Sequence, residues 1–198
     1  MSDLISSILS QFDDNSLQTI SKQAGATPEQ AKSALGDAIP ILMNALARNN
    51  SSAVGAESLR NAIARDHDGS LLDNLGDFLN NPAMANGAGI LKHVLGGKKQ
   101  KVESYISNDT GLSGSAASKI LEIAAPIVMG YLGKSSAGGR DSNVLGGILN
   151  SVLNSSDQGS GKSQGFVAQL LDRDNDGSVI DDIAEMGMSF LGKMRKNR

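Results

Sequence analysis

A chain of 198 residues with 39% hydrophobic and only 3% aromatic residues must build its core from aliphatic side chains, which favours packed helices over a strand-rich sandwich. The chain has no Cys and only two His, which excludes disulfides, thiolate metal centres, cysteine nucleophiles and multi-histidine zinc sites. Its net charge of −3 provides no overall basic field for nucleic acid. The length allows one compact domain or two small ones.

The amino-terminal stretch MSDLISSILSQFDD has an acid at position 3 and no basic region, so it does not have the pattern of a signal peptide. No apolar run approaches the roughly 18–20 residues of a membrane span. We therefore expect a cytoplasmic protein without a transmembrane segment, although export without a leader stays open.

The first strong helical pattern lies in GATPEQAKSALGDAIPILMNALARN, which begins at Gly25. Its apolar residues recur every three or four positions, as on one face of an α-helix. They include Ala31, Leu35, Ala38, Leu42 and Leu46. Thr27 and Gln30 have the spacing of a capping box, and Gly25 suits the left-handed end of a preceding helix. Pro40 lies inside the pattern and predicts a kink.

The second half of the chain repeats the first. GLSGSAASKILEIAAPIVMGYLGKS matches the first helical pattern at an offset of 86, which pairs Pro40 with Pro126. DNDGSVIDDI (174–183) matches DHDGSLLDNL (66–75) at an offset of 108. No alternating strand pattern appears, so we predict an all-α fold. We interpret it as a tandem duplication of a multi-helix unit, each copy having one long Pro-kinked helix and a DGS turn that leads into a helix.

The predicted units cover residues 1–85 and 86–198. The offset between the copies grows by 22 residues, and the extra residues fall in the Gly/Ser-rich sequences SSAGGRDSN and NSSDQGSGKSQG. This composition predicts a flexible insertion at about 134–164 in the second unit.

The stretches ISKQAGATPEQAKSALGDAIPILMNALARN, RDHDGSLLDNLGDFL and GAGILKHVLGG resemble the YidB-like family of bacterial proteins. The resemblance covers nearly the whole chain. It rests mainly on the paired DHDGS and DNDGS elements and on the Pro-interrupted helices. It implies a helical fold, and it implies no catalytic residues because the family has no established biochemical function.

Few residues are suited to catalysis. His67 corresponds to Asn175 in the second copy, and His93 lies beside helical apolar positions, so we interpret both as structural residues rather than general bases. The Gly/Lys-rich sequences GGKK and GSGKSQG lack the spacing of a phosphate-binding loop. We therefore predict that the protein is not an enzyme.

The acidic stretch DRDNDGSVIDD (172–182) has the spacing of a calcium loop, in which alternate residues supply oxygen ligands and Gly occupies the sixth position. The predicted ligands are Asp172, Asp174, Asp176, the backbone carbonyl of Ser178, and either Asp181 or Asp182. Ile183 stands where a bidentate Glu would close the loop, which lowers the expected affinity. The alternative is a capped turn, because Ser178 and Asp181 also have capping-box spacing.

A second, weaker calcium site is predicted from Asp66, Asp68 and Asp73 in the first copy. It is weaker because Ala64 stands at the position of Asp172. Here too the alternative is a capped turn, since Ser70 and Asp73 repeat the capping-box spacing.

Two segments, TISKQAGATPEQAKSAL and SYISNDTGLSGSAASKIL, resemble helix-turn-helix units. Only Gln30, Lys32 and Lys119 in their second helices could reach base edges or phosphates. We therefore predict a non-enzymatic interaction or scaffold protein that self-associates or binds a protein partner. A nucleoid-type DNA-binding protein is the alternative.

The carboxyl-terminal stretch IDDIAEMGMSFLGKMRKNR combines an apolar helical face with cations at its end. The apolar residues are Ile180, Ile183, Met186, Phe190 and Met194, and the cations are Lys193, Arg195, Lys196 and Arg198. This pattern is compatible with contact at a membrane surface. It is typical also of a helix that packs on a core and whose cations offset its dipole, and we favour that interpretation.

Overall fold

The computed structural model describes residues 2–156 and residue 166, and every regular element within them is helical. The α-helices are α1 Ser2–Leu9, α2 Asp14–Ala24, α3 Pro28–Asn49, α4 Ala53–Asp66, α5 Ser70–Asp73, α6 Leu75–Asn80, α7 Gly87–Leu95, α8 Lys99–Thr110, α9 Gly114–Ser135 and α10 Ser142–Ser156. Two short 3₁₀ turns, Pro82–Ala85 and Gly96–Lys98, join α6 to α7 and α7 to α8. The predicted all-α fold is confirmed.

The fold is centred on the two long helices, α3 and α9. Each has 22 residues, and the two pack against each other. Helices α2 and α8 each pack against both of them. Leu35 of α3 and Leu121 of α9 are fully buried in one continuous apolar cluster that contains residues of both halves of the chain. The predicted units therefore share a core.

The sequence explains where the central helices begin. Gly25 and Gly111 end the preceding helices in the left-handed conformation, with φ of 67° and 68°. Thr27 and Gln30 form the predicted capping box at the start of α3. At the start of α9, the Ser113 hydroxyl accepts a hydrogen bond from the amide of Ala116 at 3.2 Å. These caps satisfy amides that would otherwise have no partner in the first helical turn.

A proline inside each central helix leaves one carbonyl without its usual amide partner. Pro126 has no N–H to donate to the carbonyl of Glu122, four residues earlier. Gly87, the first residue of α7, lies against that carbonyl, and a Cβ at Gly87 would stand only 1.9 Å from the Glu122 oxygen. The start of α7 therefore lies where the proline interrupts the bonding of α9, and only glycine allows so close an approach.

Helix α10 falls inside the segment predicted to be a flexible insertion, at about 134–164. Leu145, Leu149 and Val152 are buried, and α10 packs against α3. These apolar residues recur at helical spacing, and their burial outweighs the low helix propensity of the intervening Gly and Ser. Between α9 and α10 the chain makes a turn in which Gly138 and Gly139 have positive φ, and the Gly139 amide donates to the buried Ser136 hydroxyl at 3.2 Å.

The helices that follow the central pair cross over. Helix α4 follows α3 and packs against α9, whereas α10 follows α9 and packs against α3. This reciprocal packing is what a duplicated unit with exchanged helices would show. The tandem duplication and the boundary between residues 85 and 86 stay predictions.

Among the helices of the described residues, α9 alone has the length and apolar composition that a membrane span requires. Most of it, 78% of its most apolar window, is buried among the other helices. The central helix of a folded core has the same properties.

Candidate functional site

The predicted ligands of the stronger calcium site lie outside the described residues. They are Asp172, Asp174, Asp176, Ser178, Asp181 and Asp182. We call residues 174–178 (DNDGS) the second DGS loop, and residues 66–70 (DHDGS) the first DGS loop. The structure describes every residue of the first DGS loop and none of the second.

The first DGS loop joins α4 to α5 through Gly69, which has φ of 107°. The Asp68 carboxylate accepts a hydrogen bond from the amide of Ser70 at 3.0 Å, and this bond lowers the pKa of Asp68. The N-cap position of α5 is occupied by Gly69, which has no side chain to cap the helix, and Ser70 is the first residue of the helix. The capping box expected between Ser70 and Asp73 is therefore replaced by an Asp68 turn, because an Asp side chain readily bonds the amide two residues ahead.

The three carboxylates of the predicted weaker calcium site have separate partners. The Arg65 guanidinium bonds Asp66 at 2.7 Å and holds the pKa of that carboxyl below its usual value. Asp68 bonds the Ser70 amide, and Asp73 accepts from the Lys134 ammonium at 2.5 Å. The structure does not bring the three together, and in the described part of the chain no three acidic or His side chains form a group that could hold a metal ion.

The first DGS loop packs tightly on the last turns of α9. A Cβ at Gly133 would lie 1.9 Å from the carbonyl oxygen of His67, and a Cβ at Gly69 would lie 2.7 Å from the Cβ of Lys134. A Cβ at Gly130, one turn earlier on α9, would lie 3.7 Å from Leu72 and 3.9 Å from Leu71. Sequence analysis missed this contact, although two glycines three residues apart near the end of an apolar helix indicate a close backbone approach.

The two histidines have different surroundings. Burial lowers the pKa of His67, and the neighbouring Asp66 carboxylate offsets this only in part. The Nδ1 atom of His93 lies 2.8 Å from the carbonyl of Gly89, one turn earlier on the same helix. The two imidazoles lie on different elements, and neither lines the cavities described below.

The residues predicted to contact DNA have different roles. The Gln30 side chain completes the capping box of α3, and its amide group also donates to the carbonyls of Thr110 and Gly111 at the end of α8, each at 3.4 Å. Lys32 is exposed, whereas Lys119 is half-buried. Gln30 therefore joins the two halves of the chain.

Two surface cavities lie beside these elements. The first, of about 180 Å³, lies between the 3₁₀ turn Pro82–Ala85, the start of α7 and α9, and Lys119 and Glu122 contribute its charged groups. The second, of about 360 Å³, lies between polar residues of α2 and the leucines of α5 and α6, which are Leu72, Leu75 and Leu79.

A polar contact that sequence analysis missed joins α8 to α9. Lys99 bonds Glu103 at 2.8 Å and donates to the Ser118 hydroxyl at 3.3 Å. Burial alone would raise the pKa of Glu103. The hydrogen bonds from Lys99 and Ser118 lower this pKa by more, so it lies below its ordinary value. The spacing of Lys99 and Glu103, four residues apart on one helix, was the available signal.

The fold defines a class of all-α proteins built around a central pair of proline-containing helices. A family model described as a bacterial protein of unknown function, DUF937, matches residues 6–135. The match covers more than half of the chain, which therefore belongs to this family, and the resemblance to its YidB-like members is confirmed. No curated protein and no solved structure matches the chain.

Proposed function

We propose that the protein is a non-enzymatic helical scaffold that acts through contacts with other proteins or with further copies of itself. The observation that carries the proposal is the use of its polar side chains to hold helices together. Gln30 caps α8, Lys134 pairs with Asp73 beyond the first DGS loop, and Lys99 links α8 to α9. These contacts between neighbouring helices support a structural use of the polar side chains.

The contact surface of such a scaffold should include its exposed apolar side chains, because their burial against a partner is favourable. Three large apolar residues in the described part are exposed. Met84 is 82% exposed, Val54 is 74% exposed and Val144 is 40% exposed. Met84 and Val54 are the strongest candidates for contact with a partner.

Affinity capture and sedimentation velocity test the scaffold proposal. We expect the purified protein either to self-associate at micromolar concentration or to retain a specific protein from a lysate of its native cells. Met84→Ser and Val54→Ser should weaken that association, whereas Ser104→Ala, at another exposed position, should not. A monomer that retains nothing beyond the level of an unrelated helical protein would contradict the proposal.

The competing function is DNA binding through the helix-turn-helix-like segments. Its candidate recognition helices are α3 and α9, and both are buried along most of their length. A recognition helix must leave one face free to enter a groove of the duplex. Electrostatic attraction to the phosphates supplies most of the non-specific affinity for DNA. Here only the exposed Lys32 and the half-buried Lys119 could contribute to it, so this attraction should be weak.

A mobility-shift assay at low salt separates the two functions. We expect no complex with duplex DNA at micromolar protein. A tight, salt-sensitive complex that is lost in the Lys32→Glu, Lys119→Glu double variant would reverse the order of the two proposals.

We also propose that the sequence around the second DGS loop binds calcium through Asp172, Asp174, Asp176, the Ser178 carbonyl and Asp181 or Asp182. Hard oxygen ligands and the absence of Cys in the chain favour calcium over zinc. Because no Glu closes the loop, the dissociation constant should be roughly 10⁻⁴–10⁻³ M. Such an affinity fits a structural ion better than a cytosolic sensor.

Calcium that binds only the native state should raise the melting temperature of the protein in millimolar calcium. The Asp174→Ala, Asp176→Ala variant should lose this shift. The matched variant of the first DGS loop, Asp66→Ala with Asp68→Ala, should retain it. An equal shift in all three proteins, or no shift in any, would contradict the calcium proposal.

A further inference from the structure

An exposed methionine lies in the chain beside residues that line a surface cavity. Met84, in the 3₁₀ turn Pro82–Ala85, is 82% exposed, more than any other large apolar side chain in the described part of the chain. The turn fixes its position, since the Met84 amide donates to the Asn81 carbonyl at 3.3 Å and the turn packs against α9. A single exposed apolar residue is common on soluble proteins, so its neighbours decide what it indicates.

The neighbouring cavity has room for a side chain of this size. Its volume is about 180 Å³, and its apolar wall includes Pro82 and Ala83 of the same turn, Ala88 of α7 and Ile123 of α9. A cavity of roughly 150 Å³ can hold benzene, and a methionine side chain has fewer heavy atoms than benzene. The unbranched methionine side chain also adapts to irregular spaces. Met84 is too exposed to occupy the cavity of its own chain.

The charged groups that line this cavity are one of each sign. They are Lys119 and Glu122, both half-buried on α9. Among the described residues neither side chain forms an ion pair, whether with the other or with a third group. A lysine that precedes its glutamate is in the less favourable order for pairing along a helix. The surface therefore presents one positive and one negative group to a molecule that covers it.

Such a surface is complementary to itself. In a dimer with a two-fold axis, every contact between two different residues forms twice, once in each direction. An exposed side chain and a cavity that lie next to each other can therefore interlock twice. Lys119 and Glu122 can likewise form two ion pairs across the axis, whereas charges of a single sign would repel each other.

We propose that two copies of the chain form a two-fold dimer in which Met84 of each copy occupies the cavity of the other. Lys119 of each copy then pairs with Glu122 of the other copy. This dimer rests on the scaffold function proposed above and names a second copy of the chain as the partner. Because each copy contributes one apolar anchor, the dimer should be small in contact area and should form reversibly at micromolar concentration.

Sedimentation velocity of the full chain over a concentration series tests the anchor. We expect a reversible equilibrium between monomer and dimer. Met84→Ser should raise the dissociation constant at least about tenfold, because each dimer loses two buried anchors. The exposure of Met84 keeps this substitution from disturbing the core. Ser104→Ala, at an exposed position outside the cavity, should leave the dissociation constant unchanged.

Charge reversal tests the two-fold geometry. Lys119→Glu and Glu122→Lys should each weaken the dimer, because each variant places like charges across the axis. An equal mixture of the two variants should dimerise again, since one copy then offers two negative groups and the other two positive groups. Native mass spectrometry should identify the product as a mixed dimer. Circular dichroism checks that both variants keep their helices, and Met84→Ser alone decides the outcome where one of them does not.

The dimer is overturned if the wild-type protein stays monomeric throughout the series, or if Met84→Ser leaves the dissociation constant unchanged. It is also overturned if the mixed charge variants, both folded, associate no more than either does alone. These failures are distinct from failure of the scaffold proposal. A monomer that retains a specific protein from a lysate would exclude only the dimer, whereas a monomer that retains nothing would contradict both proposals.

Discussion

Helices α3 and α9 have the same length, the same internal proline and the same left-handed glycine before them, yet their neighbours hold them differently. The start of α3 is held by a complete capping box, and its Gln30 also reaches the end of α8. The start of α9 has the Ser113 cap alone, since Ala116 stands where α3 has Gln30. The end of α9 instead has the two glycines that admit the first DGS loop.

The two halves therefore share the packing of their central helices, whereas the contacts at the ends of these helices differ between the halves. Leu35 and Leu121, at equivalent positions, are both fully buried in the common core. Gly133, Gln30 and the Glu103 contact have no equivalents in the other half. Substitutions at equivalent core positions should therefore have similar effects, whereas substitutions at Gly133, Gln30 or Glu103 should have no matching effect at the equivalent position of the other half.

The largest effect is expected at the equivalent core leucines. Leu35→Ala and Leu121→Ala should each lower the free energy of unfolding by about 2–5 kcal/mol, since each removes buried apolar atoms and leaves a cavity. Urea denaturation should give similar losses and a single transition for both, because the two halves share one core. A separate unfolding transition for one half in either variant would contradict a shared core.

The next effect distinguishes the glycines of the two helices. Gly133→Ala should cost about 1–3 kcal/mol, because its Cβ would collide with the backbone of the first DGS loop. Gly36→Ala on α3, where no atom lies within 4 Å of the added Cβ, should instead stabilise the protein by up to about 1 kcal/mol. Chemical denaturation measures both, and a gain in stability for Gly133→Ala would refute the close packing of the loop.

A smaller effect is expected from the cap that joins the two halves. Gln30→Ala should lower the free energy of unfolding by about 0.5–2 kcal/mol, as for the loss of other helix caps. Gln30→Glu keeps an acceptor for the Thr27 amide but cannot donate to Thr110, so it should lower the free energy of unfolding by less than Gln30→Ala does. Amide hydrogen exchange should show faster opening at the end of α8 in both variants, and unchanged exchange there would count against the link between the halves.

The smallest effect concerns the polar contact of α8 with α9. The pKa of Glu103 is lowered in the folded protein, so its ionised form stabilises the fold fully above the ordinary carboxyl pKa, and this contribution is lost as pH falls from that value through the lower pKa of the folded state. Glu103→Gln should therefore unfold more easily at neutral pH and differ least from the wild type near pH 3, below the ordinary Glu pKa of about 4.3. Denaturation midpoints across this range measure the difference, and parallel curves would exclude the contribution.

Local sequence by itself determined the parts of the fold that depend on near neighbours. The spacing of Leu35 and Leu42 predicted a helix with a buried face, Thr27 and Gln30 predicted its cap, and Gly25 predicted the left-handed end of the helix before it. These features are decided by backbone conformation and by bonds across three or four residues, so a single stretch of sequence contains them.

Tertiary structure decided the features that depend on residues far apart in the chain. It made a helix of residues 142–156, because α3 offers an apolar surface that buries Leu145, Leu149 and Val152 in spite of the surrounding Gly and Ser. It gave Asp73 a partner 61 residues away in Lys134, and it gave Gln30 the carbonyl of Thr110. The free energy of burial and of such pairing depends on which surfaces meet, and no local pattern in the sequence specifies that.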